Sequence, residues 1–148
     1  MIQPPANVLT TTQERVDSTL LAAWRLIDRP ALWTQGATAR DRYGKWVAAA
    51  DPAAAQWSLD GAIWKVAPRV AEAAMAGKCV RAILRLPLDD PTTLWAWADA
   101  PGRTLDACRK ALWMARSVVP KVISGAEPFH SNMMHPDPVL PWTDGVIR

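Results

Sequence analysis

Apolar residues recur every three or four positions near the start of the chain, which is the spacing of an amphipathic helix. The positions are Val16, Leu20, Ala23, Trp24 and Ile27. Thr11 stands three residues before Glu14, the pair that forms a capping box at a helix start. Pro30 disfavours helix in the residue before it, so a first helix is predicted from the capping box to Asp28. Pro4–Leu9 is predicted to be an extended lead-in.

The following segment lacks helical spacing and carries a turn signal. Asp41–Gly44 contains an aspartate and a glycine at positions that favour a tight turn, where glycine adopts positive φ without strain. We therefore predict a small β-hairpin in which Ala37–Arg40 pairs with Lys45–Val47. Because an isolated two-stranded ribbon is only marginally stable in water, the hairpin is expected to lie on the helices.

Asp51 and Pro52 predict the start of another helix, because aspartate favours the N-cap and proline the first helical turn. This helix has two apolar faces and is therefore expected to be central and buried. Gly61 within it indicates that another backbone passes close by, since glycine costs about 1 kcal/mol relative to alanine inside a helix. Two shorter helices, with a break at Gly77 between them, are predicted over Arg69–Ala76 and Lys78–Leu86.

Asp90 and Thr104 are the predicted caps of the last two helices, the second of which is closed by Pro120. The predicted fold is mainly α: a compact bundle of five to six short helices with one small β-hairpin and an irregular, proline-rich C-terminal tail. We divide the chain into a helical domain, residues 1–119, and a C-terminal extension, residues 120–148. The extension is too apolar for a free tail and is expected to pack on the domain or on a partner.

Composition fits one globular domain. The chain has 148 residues, of which 50% are apolar and 21% charged, with a net charge of +3. This charge does not favour nucleic-acid binding. Neither a membrane span nor a signal peptide is expected. The two cysteines, Cys79 and Cys108, form no C-x-x-C motif, so free thiols in a reducing, cytoplasmic compartment are expected.

Three motifs carry a family resemblance. They are W-T-Q-G-A-x-A-R-D-x-x-G from Trp33, D-P-x-x-A-x-W-x-x-x-G-A from Asp51 and L-x-x-W-A-D-x-x-x-R-T from Leu94. This pattern resembles an uncharacterised domain family of actinobacterial and bacteriophage genomes that has no established activity. The resemblance supplies a genome context and no mechanism. Where the family often carries a cysteine this chain has Ser58, which counts against thiol catalysis.

The motif positions also supply the candidate site. Tryptophan offers a stacking face and arginine a forked hydrogen-bond donor, which together suit a small, flat, anionic ligand such as a nucleotide. The candidate ligand-binding residues are Trp33, Gln35, Arg40, Asp41, Trp57, Trp97, Asp99 and Arg103. The alternative is structural: Arg40–Asp41 and Asp99–Arg103 are ion pairs that hold the hairpin on the helices, with the tryptophans as core.

Other chemistry has weaker support. His130 and His135, with Asp137 nearby, are too few for a metal site, and no glycine-rich phosphate loop is present. Asp89, Asp90 and Asp99 suit caps and turns better than acid–base catalysis. The basic stripe of Lys78, Arg81 and Arg85 is typical of a solvated helix face, with an anion site as its alternative. No catalytic residue, metal or cofactor is predicted.

The first functional hypothesis is a non-enzymatic accessory protein that acts by binding. It either sequesters a small nucleotide-like ligand or occludes a host defence protein through its apolar tail. One alternative is a small hydrolase that uses Ser58 or the carboxylates, although no nucleophile motif surrounds this serine. Another is a structural or virion protein whose C-terminal tail docks on a neighbouring subunit and forms a homo-oligomer.

Overall fold

The structure is a computed structural model that describes the backbone of residues 5–125 and the side chains of residues 12–125. This part of the chain contains six α-helices and one three-stranded sheet, which confirms the mainly α prediction. In chain order the elements are α1 Pro5–Leu26, β1 Ala39–Asp41, β2 Trp46–Val47, β3 Ala54–Trp57, α2 Leu59–Val66, α3 Val70–Ile83, α4 Pro91–Asp99, α5 Leu105–Ala115 and α6 Val119–Ser124. Short 3-10 turns cover Pro30–Leu32 and Arg116–Val118.

The core lies between α1, α3 and α5, and α2 covers one side of α1. The apolar positions predicted on the first helix face inward, and Val16, Leu20 and Ile27 are fully buried. Small residues of α3 and α5 bring the three helices close together, and both cysteines, Cys79 and Cys108, are free and buried in this core. The sequence-derived helix face is therefore confirmed.

The sheet is antiparallel in the order β2-β1-β3. Its first two strands confirm the predicted hairpin with slightly shifted bounds. The third strand contradicts the helix predicted from Asp51, whose carboxylate accepts a hydrogen bond from Ala53 N at 2.8 Å and closes a turn instead. Because β1 would otherwise expose an unpaired edge, pairing with β3 satisfies backbone groups that the hairpin alone leaves open.

Helix α2 begins at the end of β3 and is tied to the segment before β1. Ser58 is its N-cap, and the hydroxyl accepts a hydrogen bond from Gly61 N at 2.9 Å. A Cβ on Gly61 would lie only 1.9 Å from the carbonyl oxygen of Thr38. The predicted close approach of another backbone at Gly61 is therefore confirmed, although the helix starts later than expected.

Several other predicted boundaries are wrong. Helix α1 begins at Pro5, before the capping box, because proline is tolerated in a first helical turn and the chain continues as helix. Helix α3 runs through Gly77 without a break, since packing outweighs the modest helix propensity of glycine. Pro120 lies in the first turn of α6 rather than ending α5. The predicted caps Asp90 and Thr104 are confirmed.

Residues 119–124, at the predicted start of the C-terminal extension, form α6. Val119 and Val122 are buried against the core, so helical structure continues past the expected boundary. The rest of the extension, residues 126–148, lies outside the described residues, as do the predictions about its docking.

A buried carboxylate joins α1 to α3. Glu72 is 2% exposed and accepts from Arg15 Nε at 2.9 Å and from Arg69 Nη2 at 2.7 Å. Hydrogen bonds from Arg69 and Arg15 lower the pKa of Glu72 from 4.5 to about 2, against the opposing effect of burial.

We predict that Glu72→Gln lowers stability at neutral pH and flattens the acid limb of the pH–stability profile. Because folding lowers the pKa of Glu72, its contribution is complete above about pH 4.5 and is lost as the pH falls to about 2. Urea unfolding of both proteins between these pH values measures the effect. Parallel profiles for wild type and variant would contradict the assignment.

We predict that Gly61→Ala destabilises the fold by about 3 kcal/mol or more, since the added methyl group collides with a backbone carbonyl that cannot rotate away. Gly77→Ala is the matched control, because its Cβ would meet a side-chain atom, Arg81 Nη1 at 3.3 Å, and no backbone carbonyl. The control is expected to change stability by no more than about 1 kcal/mol. Equal urea midpoints for the two variants would refute the close approach.

Candidate functional site

The first loop, residues 33–38 before β1, places predicted motif residues against the C-terminal end of α4. Gln35 Nε2 donates to the carbonyl oxygens of Ala98 at 2.7 Å and Ala100 at 3.4 Å. Gly36 N donates to Asp99 Oδ1 at 2.9 Å. The segment before β1 and the C-terminal end of α4 are therefore joined by one amide side chain and one carboxylate.

The side chain of Arg40 holds this loop in place through hydrogen bonds. Its Nε donates to Thr34 Oγ1 at 2.9 Å, while Nη1 and Nη2 donate at 3.1 Å to the carbonyl oxygens of Gly44 and Gln35. The carboxylate of Asp41 instead closes the turn of the hairpin by accepting from backbone N–H groups. The prediction of an Arg40–Asp41 ion pair is wrong, because the guanidinium and the carboxylate each form hydrogen bonds with nearby backbone groups.

Arg103 has a comparable structural role at the other end of the motif set. Its Nε donates to Trp97 O at 2.8 Å, and the guanidinium lies 3.9 Å from the centre of the Trp97 ring. Burial lowers the pKa of Arg103 from its ordinary value. Asp99 is absent from the ion pairs of the described residues, so the expected Asp99–Arg103 pair is also wrong.

The remaining motif tryptophans belong to the interior. Trp57 is buried, and its indole N–H donates to Ala49 O at 3.0 Å. Trp33 forms an isolated backbone bridge to Trp57 and packs, partly buried, against the core. The alternative in which the motif tryptophans form part of the core therefore applies to Trp33 and Trp57, whose rings pack against other core residues.

An open cleft of about 290 Å³ lies beside this braced region, between the first loop, β2, the start of α2 and the outer side of α4. Its lining residues are Gly36, Ala37, Thr38, Trp46, Ser58, Asp60, Trp95, Ala98 and Asp99. Of the eight predicted ligand-binding residues, only Asp99 lines it. The other seven do not line it.

Two indoles that sequence reasoning did not assign to a site line this cleft. Trp46 is 68% exposed and Trp95 is 48% exposed. The signal for Trp95 was present in α4, because Leu94 and Ala98 share the buried face and leave the adjacent position directed outward. Trp46 is paired with Arg40 on the edge strand, where side chains alternate between the two faces of the sheet.

Asp60 lines the cleft in the first turn of α2. Burial raises the pKa of this carboxyl, while hydrogen bonds donated by Trp95 and Trp64 and the positive charge of Arg81 act in the opposite direction. In the part of the chain that the structure describes, no cation lies within salt-bridge distance of Asp60. Asp60 was not predicted as a site residue, because the helix was expected to start at Asp51 and not at Leu59.

Ser58, the proposed nucleophile of the hydrolase alternative, is committed to the fold. Its hydroxyl donates to Thr38 O at 3.2 Å and accepts from Gly61 N at 2.9 Å. Between residues 12 and 125, no side-chain base is hydrogen-bonded to it. The arrangement is that of a helix cap, since an activated serine requires an adjacent general base.

The basic stripe on α3 is not a uniformly solvated face. Arg81 is buried and its Nε donates to Leu88 O at 2.9 Å, which ties α3 to the loop that leads to α4. Lys78 lies 3.6 Å from the carboxylate of Asp89. Asp90 caps α4, as the sequence predicts. These groups therefore serve the fold more directly than an anion site.

The fold and the cleft define a class of protein: a small, mainly helical domain with a three-stranded sheet and an open, acidic cleft flanked by tryptophans. Residues 11–118 match a family model described as a family of unknown function, DUF6197, and the chain belongs to that family. This confirms the uncharacterised domain family expected from the three motifs. No curated protein matches the chain, and neither does any solved structure.

Two further features bear on the class. Among the helices that the structure describes, none has the length and apolar character needed to cross a membrane. In the same residues, no three His, Cys, Asp or Glu side chains are grouped closely enough to hold a metal ion. His130, His135 and Asp137 lie outside the described residues.

We predict that Arg103→Ala lowers stability by about 1–2 kcal/mol, because it removes a ring contact and a hydrogen bond to a buried carbonyl. Arg42→Ala is the control, since Arg42 contacts only the exposed ring of Tyr43 and is expected to cost no more than about 0.5 kcal/mol. Thermal unfolding measures both. An Arg103 variant as stable as the control would contradict the bracing role.

Proposed function

We propose that this protein is a non-catalytic binding module that takes a small ligand in the cleft between β2 and α4. The observation that carries the proposal is the pair of exposed indoles, Trp46 and Trp95, on one cavity of about 290 Å³. Exposed tryptophans forgo the large gain of burial, which a flat or apolar ligand between them would restore. The cavity is close in size to the small end of the range for ligand pockets.

The support for binding rather than hydrolysis comes from how the polar groups are used. Ser58 caps α2, and the two carboxylates that line the cleft, Asp60 and Asp99, accept hydrogen bonds from indole and backbone N–H groups. Fixed acceptors of this kind position a ligand without a proton transfer. The hydrolase alternative therefore has no described constellation to support it.

The chemistry of the expected ligand changes. The proposal of a small anionic ligand depended on the guanidinium groups of Arg40 and Arg103, and both donate to backbone oxygens behind the cleft. The groups that do line the cleft include two carboxylates and no arginine or lysine. A phosphate would be repelled there, whereas an aromatic base or ring is compatible with the indoles.

Broader roles stay predictions. Sequestration of a ligand by a phage-type accessory protein agrees with a binding cleft, and occlusion of a host protein or docking of a subunit depends on residues 126–148. We also propose a cytoplasmic location. The support is that Cys79 and Cys108 are free and buried, and burial raises the pKa of each thiol to about 12, which keeps it protonated.

We predict that Trp95→Ala weakens the binding of cleft ligands at least about tenfold, because it removes one stacking face, while Trp113→Ala does not. Trp113 is the matched control, since it is 47% exposed, contacts the Trp24 ring at a 49° tilt and does not line the cleft. Calorimetric titration of the full chain with a panel of cationic, neutral and anionic aromatic compounds measures affinity. If no compound binds, or if both variants lose affinity equally, the proposed function is wrong.

A further inference from the structure

The geometry points to an organic cation as the ligand of this cleft, an inference that rests on the proposed binding function. We propose that an alkylammonium group lies between the carboxylates of Asp60 and Asp99, while the carbon skeleton of the ligand lies against Trp46 and Trp95. The cleft combines two features that recognise such a molecule: two carboxylates with no cation within salt-bridge distance in the described residues, and two exposed indoles.

The two carboxylates differ in setting. Asp60 is partly buried in the first turn of α2, and Asp99 is exposed at the end of α4, where one oxygen accepts from Gly36 N at 2.9 Å. Neither takes part in an ion pair within residues 12–125. Partial removal of a carboxylate from water costs free energy when no cation contacts it, and a bound ammonium group would offset that cost.

The local charge is opposite to that of the whole chain. The chain has a net charge of +3, yet the charged residues that line the cleft are both aspartates. Arg81, whose positive charge acts on Asp60, donates to Leu88 O and does not line the cleft. The guanidinium of Arg40 is also close, since its Nη2 would lie 3.3 Å from a Cβ on Gly36. All three nitrogens of Arg40 donate to protein oxygens, so this cation is held by the loop and does not line the cleft.

The indoles favour an organic cation over a metal ion. The negatively polarised face of tryptophan attracts ammonium groups, and the chain already uses this contact where Arg103 lies over Trp97 and Arg109 over Trp24. A divalent metal needs several oxygen ligands with few apolar neighbours. With two carboxylates, and no third acidic or histidine ligand grouped with them in the described chain, the cleft is poorly suited to a metal.

The test uses three probes with the same ring and similar length: 2-phenylethylamine, 2-phenylethanol and 3-phenylpropanoate. They are titrated calorimetrically into the full chain, with calcium chloride as a separate probe. We expect the amine to bind at least about tenfold more tightly than the alcohol, and the carboxylate not to bind. Asp60→Asn should weaken amine binding about 30-fold, because the ammonium group would be removed from water in the cleft without the carboxylate that balances its charge. Asp99→Asn, at an exposed position, should weaken it about threefold.

Asp106→Asn is the control, because Asp106 pairs with Lys110 on the exposed side of α5 and does not line the cleft. Asparagine keeps the hydrogen-bond acceptor, so circular dichroism is expected to show folded variants. Tighter binding of the alcohol, the carboxylate or calcium would overturn the cation inference and leave a binding cleft. The same conclusion follows if Asp60→Asn leaves amine affinity unchanged. If none of the four probes binds, both proposals fail.

Discussion

The arrangement of the sheet on the helices depends on the close approach between the start of α2 and the backbone at Thr38, just before β1. Gly61 has no side chain, so the carbonyl of Thr38 can lie against the helix, and Ser58 joins both partners through its hydroxyl. This contact fixes the first turn of α2 beside the first loop. The contact therefore fixes the position of Asp60, which lies in this turn and lines the cleft.

Bracing and recognition are divided between two sets of side chains. The motif residues Gln35, Arg40 and Arg103 all donate to backbone oxygens: Gln35 joins the first loop to the end of α4, Arg40 holds the loop itself, and Arg103 holds the end of α4. A second set, which includes Asp60 and Trp95, faces the space that the first set keeps open. A rigid support behind a small cleft reduces the entropy lost on binding, since the walls are already in place.

The sequence predicted the helices that have regular apolar spacing and strong caps, such as α1 and the helices that begin after Asp90 and Thr104. It failed at Ala54–Trp57, because Asp51 and Pro52 favour a turn as readily as a helix start, and only pairing with β1 decides between them. That error also concealed Asp60. Local signals located the motif residues, but only the tertiary fold determines which of them brace the loop and which line the cleft.

The most direct test of the account is a two-dimensional ¹H–¹⁵N spectrum of the indole groups during titration of the full chain with 2-phenylethylamine. The tryptophans that the structure describes give separate probes of the cleft, the core and the α1–α5 surface. The account predicts that the signals of Trp46 and Trp95 shift with saturation, while those of Trp57 and Trp113 do not. Shifts confined to Trp113, or no shift at any indole, would contradict it.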